Sequence, residues 1–194
     1  MDGASRVREV LRNDPVRRKA LELVADLNLP DCWIAAGFVR DAVWDRLHGY
    51  PMSEPYGDVD VVWFCDNSQD DDDDRLIERR LVTNMPELEW SVKNQARMHR
   101  RNADYPYRSV ADAMTYWPET ATAIAARLDG AGEIQITAPF GLEDLLTLRL
   151  RPGPRFWDEK LPIFVERVGH KNWTKRYPKL KMSVVASGGS SLSR

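Results

Sequence analysis

The apolar residues follow helical spacing in some stretches and strand spacing in others, and the switches between the two divide the chain. After Asp14-Pro15, an N-cap acceptor followed by a proline whose missing N–H costs nothing at the first helical position, Val16, Ala20, Leu21, Leu23, Val24 and Leu27 recur at helical spacing. This predicts a helix that ends near Asn28-Leu29-Pro30. The run Cys32 to Ala36, then Gly37, then a segment from about Val39 to His48 closed by Gly49 reads as strand or buried turn, glycine, helix. Asp58 to Cys65 (DVDVVWFC) is the window richest in β-branched and aromatic residues, and it predicts a strand. The aspartates Asp70 to Asp74 precede Arg75 to Val82, with Arg79 and Arg80 towards the end, a charge order that suits a solvated loop capping a helix.

Beyond Pro86, Leu88 to Lys93 predicts another strand and Asn94 to Arg101 a short basic helix or loop. Ser109 to Asp112 has capping-box spacing and opens a helix towards Trp117. Pro118 interrupts it, and Thr120 to Leu128 is expected to resume it. Glu133 to Thr137 alternates as a half-exposed strand, and Gly141 to Thr147 and Glu159 to Gly169 are expected helices on either side of the loop Arg151-Pro-Gly-Pro154. From Ser183 onward the chain is small and polar, which predicts a disordered tail over 183–194.

Composition narrows the function classes. A length of 194 residues fits one domain, and 43% hydrophobic against 30% charged residues is enough for a core. Lys and Arg number 28 against 30 Asp and Glu, so the net charge of -2 points to no global nucleic-acid or cation-storage role. Functional charge must therefore be local. Cys32 and Cys65 form neither a disulfide framework nor a zinc spacing, no apolar leader or membrane-length run is visible, and a cytoplasmic location is the expectation. The aspartate run does not read as a calcium loop. Starting such a loop at Asp66 puts Asp71 where a glycine is needed and Ile77 where a bidentate glutamate belongs.

Two pieces in fixed order carry the chemistry. Gly37 opens a helix bearing Arg40, and the following strand sets Asp58 and Asp60 on one face, because strand residues i and i+2 point the same way. Two such carboxylates repel unless they are protonated or share a cation, and hard oxygen donors suit Mg2+. A glycine at a helix start lets backbone N–H groups approach an anion. Metal and amides together suit phosphoryl or nucleotidyl transfer.

Gly37-Phe38-Val39-Arg40-Asp41 followed by Asp58-Val59-Asp60-Val61 resembles the glycine motif and the Dh[DE]h motif of the nucleotidyltransferase superfamily that includes polymerase β, poly(A) polymerases and CCA-adding enzymes. The first segment is similar to the GGxVRD of the latter two, read with Phe38 in place of the second glycine. Over roughly residues 20 to 180 the chain also resembles small bacterial nucleotidyltransferase-like proteins, through Trp90 to His99, Trp117 to Thr122 and Ala138 to Leu145. The resemblance implies an α/β (α+β) fold, a mixed sheet packed by helices, in a single domain over 1–182 with its core at about 15–140 and a C-terminal helical region at about 141–182.

It also implies that Asp58 and Asp60 bind Mg2+ or Mn2+, and that Gly37, Phe38 and Arg40 hold the phosphates of a nucleoside triphosphate. Lys93, Asn94, Gln95 and Arg97 join the nucleotide-binding set in the same way. The superfamily's third carboxylate falls best on Glu89, which shares a strand face with Ser91 and Lys93. The acceptor stays open among small molecule, protein and RNA. A nucleotide-binding module without turnover is one alternative. An RNA-interaction protein using ten basic residues between Arg149 and Lys181, with Trp157, Trp173 and Tyr177 among them, is another.

Overall fold

Asp14 accepts from the Arg17 amide at 3.0 Å and starts α2 (Pro15–Ala25), as the Asp-Pro pair predicts. The structure, a computed structural model, describes residues 2–68 and 70–184. The Arg17 side chain, 1% exposed, then ties α2 to the elements that carry the site. Its Nε donates to the Phe38 carbonyl at 2.8 Å, and its Nη1 pairs with Asp14 and donates to the Ser53 carbonyl at 2.9 Å. Before it, α1 (Gly3–Arg12) buries Val7 and Leu11. That helix was not legible in the pattern, because only three apolar residues, Val7, Val10 and Leu11, stand out among its charged ones.

Five strands form a mixed sheet in the order β3-β2-β1-β4-β5. They are β1 (Trp33–Ala35), β2 (Asp58–Trp63), β3 (Glu89–Asn94), β4 (Ala125–Leu128) and β5 (Ile134–Thr137). β1 runs antiparallel to β2 and β4, β4 antiparallel to β5, and β2 parallel to β3. The parallel pair is joined by α4 (Asp72–Asn84), whose first turn holds three of the aspartates. Between β1 and β2 lies α3 (Gly37–His48), closed by Gly49 in the left-handed conformation at φ 74°. After β3 come α5 (Gln95–Asn102) and α6 (Val110–Met114), and Ser109 caps the latter as its spacing predicts.

The expected helix over Thr120 to Leu128 is not formed. A 3-10 turn at Thr120–Thr122 leads instead into β4. Alanine favours helix locally, but Ala125 and Ala126 are gripped on both sides, by Ala35 and Ile34 of β1 and by Thr137 and Ile136 of β5, and the ladder overrides the propensity. The expected helix over Gly141 to Thr147 contracts to α7 (Glu143–Leu146). The one expected from Glu159 begins as a 3-10 turn and becomes α8 (Leu161–Lys171), followed by α9 (Trp173–Arg176). The two-residue strands β6 (Arg149–Leu150) and β7 (Lys181–Met182) are too short to leave a period. Of the expected polar tail, residues 185–194 lie outside the described residues.

The two faces of the sheet differ. Val59, Val61, Trp63, Trp90 and Val92 face the larger core, with Leu21, Phe38, Trp44 and Leu81 from the helices. Trp33, Ala35, Val62 and Ala125 face the other way, against Val110 and Met114 of α6. The C-terminal helices are part of the body: Trp44 is fully buried, with Trp173 and Tyr177 edge-on at ring separations of 6.1 and 5.3 Å. Among the described residues no helix is long and apolar enough to cross a membrane.

Removing the Arg17 side chain leaves Asp14, 3% exposed, without its counter-charge. Arg17→Ala is expected to cost about 3 to 5 kcal/mol of unfolding free energy in a urea titration. A loss below about 1 kcal/mol would show that the pair does not hold α2 against α3.

Candidate functional site

Strand alternation on β2 sends Asp58, Asp60 and Val62 to the face away from the larger core. Register places Ala35 on one side of Asp60 and Ser91 on the other, and Ala125 lies beyond Ala35. Asp60 therefore sits in a row of short side chains, of which Ala35 and Ala125 are fully buried and Ser91 is half-buried. Asp58 is exposed and Asp60 half-buried. Burial first, and the charge of Asp58 second, push the Asp60 carboxyl up to about 6, with Lys171, Arg40 and Arg167 pulling the other way.

The turn into α3 brings backbone amides to the same end of the sheet. Ala36 adopts φ 50° and ψ -117°, and its amide is held by the Ile124 carbonyl at 2.8 Å. No side chain caps the helix that follows, so its first N–H groups have no acceptor of their own. A Cβ on Gly37 would lie 3.3 Å from Arg40 Nη2 and 3.4 Å from Asp41 Oδ2, tighter than such contacts normally are. A side chain there would need the Arg40–Asp41 pair to give by a few tenths of an ångström. The departure from the family's glycine pair was read at Phe38. Aligned on Val39-Arg40-Asp41, however, GGxVRD puts its two glycines at 36 and 37, so the residue that departs is Ala36, in a conformation that favours glycine. Phe38 is 1% exposed, and its ring belongs to the core.

Arg40 is not a free cation. Its Nε and Nη2 donate to Asp41 at 2.8 and 3.1 Å, and its guanidinium lies 5.2 Å from the Trp44 ring centre and 4.6 Å from that of Trp173. On β3, Glu89 is level with Asp58, Ser91 with Asp60 and Lys93 with Val62, so all three share the site face. Glu89 is exposed, and among the described residues no three His, Cys, Asp or Glu side chains converge as a metal-binding group.

Asn94, Gln95 and Arg97 are drawn elsewhere. Asn94 is fully buried, its Oδ1 accepting from the Cys65 and Ala96 amides and its Nδ2 donating to the Cys65 carbonyl. Gln95 Nε2 donates back to the Lys93 carbonyl. Arg97 donates to Ser68, Asp71 and Asp74 and locks the aspartate run to α5. Lys93 and Arg97 also line a cavity of about 540 Å³ with Asp70 to Asp72, Arg100 and Arg101. Sequence reasoning gave no site role to Glu119, which lies in the Trp117 to Thr122 segment, and counted Arg167 and Lys171 only among the basic residues from Arg149 to Lys181. The tertiary fold pairs Arg167 with Glu119.

Because the folded state raises Asp60 above its usual 3.8, it retains a proton between about pH 4 and pH 6 that the unfolded chain has released. Stability of the metal-free protein should therefore fall as pH rises through that window. Asp60→Asn should flatten the slope in urea titrations across it, and an unchanged slope would contradict this origin. Ala36→Gly should raise stability by about 1 kcal/mol by relieving the positive φ, read as a higher denaturation midpoint.

The comparisons with known proteins agree with this geometry. A nucleotidyltransferase family pattern matches residues 22–182. One solved structure, described as revealing a CCA-adding enzyme head domain, is 30% identical with a TM-score of 0.81, and the match covers 93% of this chain and 96% of that one. The Thermotoga maritima CCA-adding enzyme complexed with tRNA matches at 15% identity and a TM-score of 0.56 over 93% of this chain and 42% of its own. A CCA-adding enzyme solved with CTP matches at 14% and 0.50, over 91% and 49%. The chain thus spans less than half the length of these two enzymes, and at such identities they share its fold alone. No functionally curated protein matches it in sequence. With the family pattern running through both the glycine turn and the Asp58–Asp60 strand, the chain belongs to the nucleotidyltransferase family.

Proposed function

We propose that the chain transfers a nucleoside monophosphate from a nucleoside triphosphate to an acceptor hydroxyl or phosphate, releasing pyrophosphate. The observation that carries this reading is the Asp58–Asp60 pair on β2, set at the same end of the sheet as the uncapped start of α3, with Asp60 holding its proton unusually well. A carboxylate pair in that state fits a hard dication, which replaces the proton and offsets the mutual repulsion. When bound there, Mg2+ or Mn2+ supplies charge neutralisation to the phosphates.

The chain's own groups do the rest. The amides of Gly37 and Phe38 offer donors at the positive end of α3 to phosphate oxygens. Ser91, level with Asp60 and half-buried, presents its hydroxyl on the same face. The acceptor oxygen attacks the α-phosphorus in line, the bond from that phosphorus to the bridging oxygen breaks, and pyrophosphate departs with the electron pair. Glu89, level with Asp58, is the carboxylate placed to take the acceptor's proton.

A nucleotide-binding module without turnover is favoured by one departure from the glycine motif, alanine at the strained position 36. It differs in giving Mg2+-dependent nucleotide affinity with no pyrophosphate. The RNA-stacking alternative is left with Trp157, half-buried, since Trp173 and Tyr177 are only 5% and 1% exposed. RNA stays among the acceptors, supported by a relative of the same fold solved with tRNA.

Mg2+ with one of ATP, CTP, GTP or UTP is expected to raise the melting temperature, and the Asp58→Asn, Asp60→Asn double variant to lose both that shift and pyrophosphate release. Full retention in the double variant would overturn the assignment. Glu89→Gln should lower turnover by about 10²-fold while leaving the nucleotide-dependent shift, and wild-type turnover would remove it as the base.

A further inference from the structure

The triphosphate site described so far is short of cations. Arg40 is engaged by Asp41, and Arg97 by Asp71 and Asp74. A nucleoside triphosphate carries several negative charges, and one dication does not balance them. On α8, Arg167 and Lys171 stand four residues apart on one face. The chain from Arg167 into α9 is held at two points. Arg167 Nε donates to Glu119 Oε1 at 2.7 Å, and Glu119, fully buried, takes the Thr122 hydroxyl on Oε2 at 2.8 Å. Three residues on, Ala125 pairs with Ala35, itself the partner of Asp60.

At the other end, Trp173 lies over Arg40, whose Nη2 stands 3.3 Å from where a Cβ of Gly37 would be. The stretch from Arg167 to Lys171 thus runs between the sheet row that holds Asp60 and the start of α3.

Neither cation is consumed by the fold. Arg167 uses Nε on Glu119, its side chain is 43% exposed, and among the described residues its two terminal nitrogens have no partner. Lys171 is exposed and makes no ion pair among the described residues. A guanidinium held by Nε from a buried carboxylate presents its remaining edge in a fixed direction, the geometry that suits phosphate oxygens. We infer that Arg167 and Lys171 hold the terminal phosphates of the nucleoside triphosphate, with Glu119 as the positioning residue for Arg167. This rests on the nucleotidyltransferase reading for the identity of the ligand, and it makes the C-terminal helical region a wall of the site.

The test uses the full chain and tripolyphosphate with Mg2+ as the probe, since it carries the phosphates without a base. The Arg167→Ala, Lys171→Ala variant is expected to lose about ten-fold or more in tripolyphosphate affinity by calorimetry, and to raise KM for the active nucleotide with kcat nearly unchanged. Glu119→Gln should give a smaller rise in KM at unchanged kcat, and Arg167→Lys should restore part of the lost affinity. If the double variant fails to fold, Lys171→Glu alone carries the test, because that side chain is exposed and unpaired among the described residues. Wild-type affinity in Lys171→Glu or in the folded double variant would overturn the inference and leave the transferase reading intact. Tripolyphosphate binding that depends on both residues, in a protein that releases no pyrophosphate from any nucleotide, would sustain the inference and sink the transferase reading. No tripolyphosphate binding by the wild type would overturn the inference.

Discussion

Two carboxylates on one face of a strand, one of them half-buried, repel each other, and much of the structure around β2 is arranged about that repulsion. A fold that simply minimised its energy would have no reason to place Asp58 and Asp60 side by side with Asp60 pushed up to about 6. The neighbouring strands set short side chains beside Asp60, Ala35 from β1 and Ser91 from β3. Positive charge reaches it through Lys171, Arg40 and Arg167. A local cost of this kind, concentrated where a cation would relieve it, marks the pair as a candidate binding site.

Arg40 connects the site to the body of the protein. It opens the second half of the glycine turn, pairs with Asp41, and lies against the rings of Trp44 and Trp173. A guanidinium packed in this way is a structural cation, and it crowds the position where a side chain on Gly37 would sit. Because Trp173 belongs to α9, the same contact fixes the C-terminal helices against α3. The region beyond the sheet is therefore built into the domain, whereas its composition alone reads as a basic extension.

Ala36 is where this chain parts from the glycine pattern it resembles. It keeps the turn at φ 50° against its own preference, held by the Ile124 carbonyl. Ser91 fills the sheet position beside Asp60, leaving Glu89, one step along the face, as the nearest acid on β3. Neither residue disturbs the carboxylate pair or the start of α3.

Local rules determined a good deal of this protein. Asp14-Pro15 fixed the start of α2, Gly49 the end of α3, Ser109 the cap of α6, and the alternation in DVDVVW both the strand and the shared face of Asp58 and Asp60. Each of these depends on neighbours within a few residues, so the chain records them directly. The tertiary structure decided the rest, because the deciding groups are far apart in sequence. Ala125 and Ala126 became strand only because β1 and β5 close on them. Asn94 and Arg97, basic or amide-bearing residues next to a site strand, turned inward to satisfy Cys65 and the aspartate run. Arg167 and Lys171, more than a hundred residues beyond Asp60, reached its surroundings through the packing of Trp173 on Arg40 and of Glu119 on Arg167. Which carboxylates face together is a matter of strand period, and the sequence determines it. Which cations face them depends on how the chain closes on itself, and only the folded structure does that.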